Sequence, residues 1–361
     1  MVTIRSRESA EQAALTAKRK GEHIRICLQE DVEGEGISSG FDRYRFEHNA
    51  LPELRFNSIS LEASFLGRKL RAPFLVSSMT GGTEEASAIN IRLAEAAEAR
   101  GWAIGLGSMR AAIESEELAA SFRVRHAAPT APVIANLGAV QLALGYGVDQ
   151  CRRAVELAEA DALVLHLNGM QELFQPEGDT DFSGLLGRIG EVCSKLDMPV
   201  GIKEVGWGID GRTAKQLYDA GIAFIDVAGA GGTSWSQVEK FRTTDPMRRA
   251  AAEAFADWGI PTADCISDVR RHLPYEAVVI GSGGLKNGVD AAKAIALGAN
   301  IVGFGRTLLP YAAQASDSKL LLQQFEQIEF ELRAAMFGIG AASIRDLAMT
   351  DRLQAKNGTA Q

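Results

Sequence analysis

Several absences narrow the reading of this chain. Its four cysteines, Cys27, Cys151, Cys193 and Cys265, are scattered and form no C-x-x-C, so a zinc ribbon or dithiol redox pair is not expected. Such thiols suit a reducing, cytoplasmic setting. No G-x-x-x-x-G-K-[ST] occurs. In the stretch "VAGAGGTSW" (227–235) the pattern G-x-G-x-x-G also fails, because Ser234 stands at its third glycine position. No apolar run approaches the roughly 20 residues of a membrane span. "MVTIRSRESAEQAALTAKRKGEH" has no apolar core, so no secretory signal is expected. A formal net charge of −8 argues against a general nucleic-acid surface, yet leaves room for a basic pocket that takes a small anion.

What is present is repetitive. Apolar runs ending in Gly, Ser or Asn recur at 73–78, 102–108, 132–138, 162–168, 199–206, 223–229, 277–284 and 300–306. Between most of them lie stretches with a 3.6-residue apolar period, such as "ASAINIRLAEAAEARG" and "GVDAAKAIALGA", each stopped by glycine or a small residue. Continuous apolar strands alternating with amphipathic helices imply a parallel sheet covered on both faces. Eight such units over this length predict an α/β fold, a (β/α)8 TIM barrel, over 61–345. Residues 1–60 read as an N-terminal extension with a basic clamp, and 346–361 as a flexible C-terminal tail.

In such barrels the active site lies at the C-terminal ends of the strands. Those ends carry Ser77, Ser78 and Thr80 in "SSMTGG", then Ser108, Asn136, and His166 with Asn168, followed by Gln171 and Glu172. Next come Lys203 with Glu204, then Asp226 and the glycine loop with Thr233. The last two strands end in "GSGGLKNG" and "GFGR". A hydroxyl or glycine there is commonly turn chemistry. Lys203 is different, because a lysine on a buried strand costs free energy unless it meets an anion. The late glycine loops offer free amides for a phosphate, with Lys286 and Arg306 nearby. A phosphate cup plus a lysine on strand five suits flavin mononucleotide, where a cation opposes charge on the reduced ring. Arg19, Lys20 and His23 in "KRKGEHIRI" read either as a solvated helix face or as a clamp for a second anion. Glu172 beside a polyphosphate would need a bridging Mg²⁺.

The motifs "RKGEHI", "SSMTGG", "GSMR", "ANLGA", "HLNGMQE", "QPEGD", "KEVG", "AGAGGTSW" and "GSGGLKNG" occur in that order. Together, over roughly residues 18–340, the chain resembles the type 2 isopentenyl-diphosphate isomerases. The resemblance implies a barrel using FMN, Mg²⁺ and a reduced pyridine nucleotide, NADPH, that primes the flavin. It implies interconversion of isopentenyl and dimethylallyl diphosphate, in a homotetramer or homo-octamer. Reduced FMN would be the acid/base, supported by His166 and Lys203. Arg19, Lys20 and His23 would hold the substrate with His166, Asn168 and Gln171, and Glu172 would ligate the metal. Ser78, Met79, Thr80, Ser108, Asn136, Lys203 and Thr233 would bind FMN. Its phosphate would sit between Gly283, Gly284, Leu285 and Lys286 on one side and Gly305 and Arg306 on the other. Two departures stand out: Gly169 where the family commonly has proline, and Lys286 where it often has arginine.

Three other readings compete. A flavin-dependent 2-hydroxyacid oxidase needs a His base with a nearby Arg after the late strands, and "AGAGGTSW" has neither. An inosine-monophosphate-dehydrogenase-like enzyme needs an activated cysteine, and nothing near Cys265 in "TADCISD" would lower its pKa. A non-catalytic FMN-binding barrel would need neither "RKGEH" nor Gln171–Glu172.

Overall fold

Each of the eight apolar runs forms a short strand. The computed structural model describes residues 18–314 and 318–356, and in it the strands close into one parallel barrel. In chain order they are β1 Phe74–Val76, β2 Ala103–Gly105, β3 Val133–Gly138, β4 Ala162–His166, β5 Val200–Lys203, β6 Phe224–Asp226, β7 Val278–Gly281 and β8 Ile301–Phe304. β8 returns to β1 in the register Val302↔Phe74 to Phe304↔Val76, so no barrel edge is left open.

Side chains alternate along each strand, and this sets the interior. Leu75, Ala103, Ile134, Val164, Phe224, Ile280 and Ile301 form a buried cluster of their own. It is completed by Phe65 and Leu70 of the hairpin Ala63–Phe65/Arg68–Leu70, which plugs the barrel floor. Phe65 and Phe224 meet edge to face at 5.5 Å. Gly201 is the space the Phe224 ring needs, since a Cβ there would fall inside the ring. Two residues further along, the same inward positions become polar: Ser77, Asn136, His166, Lys203, Asp226 and Ser282. The site is therefore a polar layer resting on an apolar floor.

Outside the barrel, the helix Glu84–Arg100 starts at Thr83, whose Oγ1 accepts the Ala86 amide at 3.0 Å, and stops at Gly101 in the left-handed region (φ 67°). The long helix Ser318–Ile339 packs on it. Phe325 stacks 4.1 Å from the Trp102 ring, and Trp102 Nε1 donates to buried Glu329 at 2.9 Å. The long connection between β6 and β7 holds three helices, Trp235–Arg242, Pro246–Ala254 and Thr262–His272.

One expectation is corrected. The tail from 346 is not loose over its described part. Ile344–Ala348 is helical, and Leu353–Ala355 pairs antiparallel with Tyr44–Phe46 of the N-terminal extension. Each short strand supplies the backbone partners the other lacks, which polar tail composition does not reveal. Residues 1–17 and 357–361, parts of the predicted extension and tail, lie outside the described residues.

Phe224 is 2% exposed and anchors the floor. Phe224→Ala is expected to cost about 3–5 kcal/mol by loss of burial plus a cavity, read as a lower urea midpoint at unchanged slope.

Candidate active site

Above the polar layer lies a cavity of about 870 Å³, bounded by the strand ends and roofed by the helical segment 18–29. That is the upper end of the roughly 300–1,000 Å³ typical of ligand pockets. The residues expected from sequence to hold flavin, substrate or metal all line it: Arg19, Lys20 and His23 from the extension, Ser78–Thr80, Ser108, Asn136, His166, Asn168, Gln171, Glu172, Lys203, Thr233, Gly283–Lys286, Gly305 and Arg306; the strand-end Glu204 and Asp226 do not.

The glycine loops owe their composition first to each other. A Cβ on Gly232 would stand 2.5 Å from the Gly284 nitrogen, and one on Gly283 would be 2.6 Å from the Gly229 nitrogen. Gly231, Gly283 and Gly284 also take positive φ (105°, 108° and 71°). The loop after β6 thus packs backbone to backbone on the loop after β7, and together they form one wall.

Electrostatics are set by burial. Lys203 Nζ donates to the Glu204 carbonyl at 2.5 Å. Desolvation lowers its pKa, opposed by the charges of Asp226 and Glu204. The Glu204 carboxylate is consumed structurally: Oε2 accepts the amides of Val205, Gly206 and Trp207 at 2.6–2.7 Å. Lys20 Nζ donates to the Ser108 carbonyl at 2.9 Å and lies 5.2 Å from the Phe122 ring centre. Burial, then Arg19, pulls its pKa down to about 7. Burial, with Lys203 and Lys20 adding to it, pushes His166 down to about 3, so its imidazole is neutral. Burial raises the Glu172 pKa, opposed by hydrogen bonds from the Asp179 amide (2.8 Å) and Asn168 Nδ2 (2.7 Å).

Two features were not legible from sequence. Glu33 reaches both cations of the late loops: it contacts Arg306 and lies 3.2 Å from Lys286. Behind the clamp, Arg242 binds three carboxylates, Glu239, Glu22 and Glu177, while His23 meets Glu239 at 2.9 Å and Arg19 lies 3.7 Å from Glu177. No local pattern joins residues 19–33 to 239–306; only folding does. Of the two sequence departures, Gly169 has room, since the three atoms nearest a Cβ there all belong to the Phe182 ring, at 3.6 Å or more.

Basic side chains line the cavity at two places, Arg19–Lys20 and Lys286–Arg306, which suits phosphate groups. Ser77 Oγ and Asn168 Oδ1 are buried in its wall without a partner among the described residues, which suits polar atoms of a ligand. Among the described residues no group of three or more His, Cys, Asp or Glu side chains is gathered to hold a metal alone. Mg²⁺ held by one carboxylate and substrate phosphates needs no such group.

Comparison with known proteins gives the class first. The FMN-dependent dehydrogenase family pattern matches residues 29–167 and 179–354. The fold is similar to the flavin-binding domain of baker's yeast flavocytochrome b2 (TM-score 0.66, 16% identity, covering 92% of this chain and 82% of that one). It is also similar to a putative lactate oxidase of Pediococcus acidilactici (TM-score 0.65, 16% identity, 96% and 94%). This is an FMN-dependent barrel. Sequence relatives are more specific. The isopentenyl-diphosphate delta-isomerase of Oceanobacillus iheyensis is 56% identical over 93% of this chain and 95% of its own. That of Nostoc sp. is 49% identical over 95% and 97%. The chain belongs to the type 2, FMN-dependent isopentenyl-diphosphate delta-isomerase family, and is an isomerase by that membership.

The Arg242 network ties the helical segment 18–29 to the barrel. Arg242→Met leaves the fully buried Glu239 carboxylate with His23 but without its arginine partner and is expected to cost about 3 kcal/mol. The measurements are chemical denaturation and amide exchange, which should accelerate selectively over 18–29.

Proposed function

We propose that this protein interconverts isopentenyl and dimethylallyl diphosphate, with FMN as resident cofactor, Mg²⁺ on the substrate diphosphate and NADPH as priming reductant. One observation supports this above others. Two separate basic groups, Arg19–Lys20 from the extension and Lys286–Arg306 from the late loops, face the same chamber as Lys203 and a neutral His166. One anion site serves the cofactor phosphate and the other the substrate diphosphate.

In this reading each residue has a physical task. The amides of Gly283–Lys286 and Gly305, with Arg306, take the FMN phosphate. Lys203, kept from water, opposes negative charge on the flavin ring. Ser78–Thr80, Ser108, Asn136 and Thr233 line the ring's bed. Arg19 and Lys20 take the diphosphate, with His23 held beside them by Glu239, and Glu172 reaches it through Mg²⁺. His166, Asn168 and Gln171 wall the isopentenyl chain and exclude water. Allylic transposition adds a proton at C4 and removes one from C2, with no net redox change. Reduced FMN supplies the acid/base chemistry when bound; the chain supplies orientation and charge.

Incubation with isopentenyl diphosphate, FMN and Mg²⁺ under nitrogen should yield dimethylallyl diphosphate only when NADPH is added, with far less than one NADPH consumed per product. No product from protein that binds FMN would overturn the reading.

The Lys20 environment makes a second prediction. A lysine with pKa about 7 is mostly neutral at pH 8, and a bound diphosphate restores its charge. Substrate binding at pH 8 should therefore take up about one proton, and much less at pH 6. Calorimetry in buffers of different ionisation enthalpy reads this directly. Uptake at pH 8 that persists in Lys20→Met would remove Lys20 from the role.

A further inference from the structure

Asn136 and His166 face each other from adjacent strands in the polar layer, and their hydrogen bonds leave little freedom. Asn136 Nδ2 donates to the Leu106 carbonyl at 3.0 Å, and its Oδ1 lies 2.8 Å from His166 Nδ1. A flipped amide would set its oxygen against the Leu106 carbonyl oxygen, two acceptors with no hydrogen between them. The amide oxygen therefore faces the imidazole. An amide oxygen only accepts, so the proton of that contact sits on Nδ1. A neutral imidazole carries one N–H, which leaves Nε2 with a lone pair. Neutrality follows from the surroundings: the ring is half-buried and loses much of its hydration, and the charged side chains acting on it, Lys203 and Lys20, are both cations; the Leu137 carbonyl opposes them only in part. Gly138 lets the ring lie close to its backbone, since a Cβ there would crowd Nε2 and Cε1 at 3.3 Å.

We infer that Asn136 is a positioning residue: its oriented amide holds His166 as the Nδ1–H tautomer and turns Nε2 to the cavity as an acceptor. His166 then accepts hydrogen bonds at Nε2 and does not donate them there. The isopentenyl chain carries neither N–H nor O–H, so the partner of Nε2 is a polar hydrogen elsewhere in the chamber. This assigns Asn136 work beyond lining the flavin bed, since both ends of its amide are engaged by the protein. The inference rests on the proposed function only in taking this cavity as the seat of reaction.

The test is the tautomer itself, read without turnover, so its failure and the failure of the isomerase reading are distinguishable. Protein labelled with ¹⁵N-histidine and loaded with FMN is studied by long-range ¹H–¹⁵N correlation at pH 7.5, with the His166 signals identified by their loss in His166→Gln. The expected result is a pyrrole-type Nδ1 and a pyridine-type Nε2 in the wild type. In Asn136→Leu the two signals should move toward the average of exchanging tautomers. An Nε2–H pattern in the wild type would overturn the inference, as would an unchanged pattern in Asn136→Leu. If Asn136→Leu does not fold, the wild-type spectrum still decides the tautomer, and Asn136→Ala repeats the comparison with a smaller side chain.

Discussion

Water exclusion over an apolar floor is the constraint on which the rest depends. The alternation of a closed parallel barrel puts Phe224, Ile280, Ile301 and their neighbours at one level, and Asn136, His166, Lys203, Asp226 and Ser282 two residues higher. At that level Asn136, Lys203, Asp226 and Ser282 are buried and His166 is half-buried, so each polar group finds a partner or changes its protonation. Lys203 finds the Glu204 carbonyl and the field of Asp226. His166 gives up its charge. Lys20 sits near the balance point. The desolvation that makes these groups costly also makes them strong partners for incoming anions.

The barrel alone does not complete the chamber. Arg19, Lys20 and His23 arrive on a helical segment held by Arg242 and its three carboxylates. Glu33, four residues beyond that segment, reaches across to Lys286 and Arg306. A carboxylate there faces the same cations that a phosphate ester would use. The extension is thus part of the site's electrostatics as well as its roof.

Fold and function diverge here in an instructive way. The solved barrels with the same architecture include a putative lactate oxidase at 16% and a mandelate oxidase at 20% identity, and that likeness speaks only of the fold. The residues at the strand ends separate the two chemistries. The loop after β6 here carries glycines that pack against the next loop, without the histidine and arginine that a hydroxyacid oxidase requires. Loop variation on a constant scaffold is how this architecture changes reaction.

Much was legible from the sequence because it depends on local periodicity and on a rule of the fold. Apolar runs and glycine stops located all eight strands, and the rule that barrel sites lie at C-terminal strand ends gathered residues from 78 to 306 into one list before any contact was known. Motif order added Arg19, Lys20 and His23. Contacts between distant segments were not legible. The sequence alone could not tell that Leu353–Ala355 would pair with Tyr44–Phe46, that Glu33 would meet Arg306, or that Gly232 and Gly283–Gly284 are small because two loops touch. Nor could it say which nitrogen of His166 bears a proton, since that depends on an amide thirty residues away and a carbonyl at 106. Composition and period are properties of neighbours in the chain; partners, protonation states and close approach belong to neighbours in space, which only the closed barrel creates.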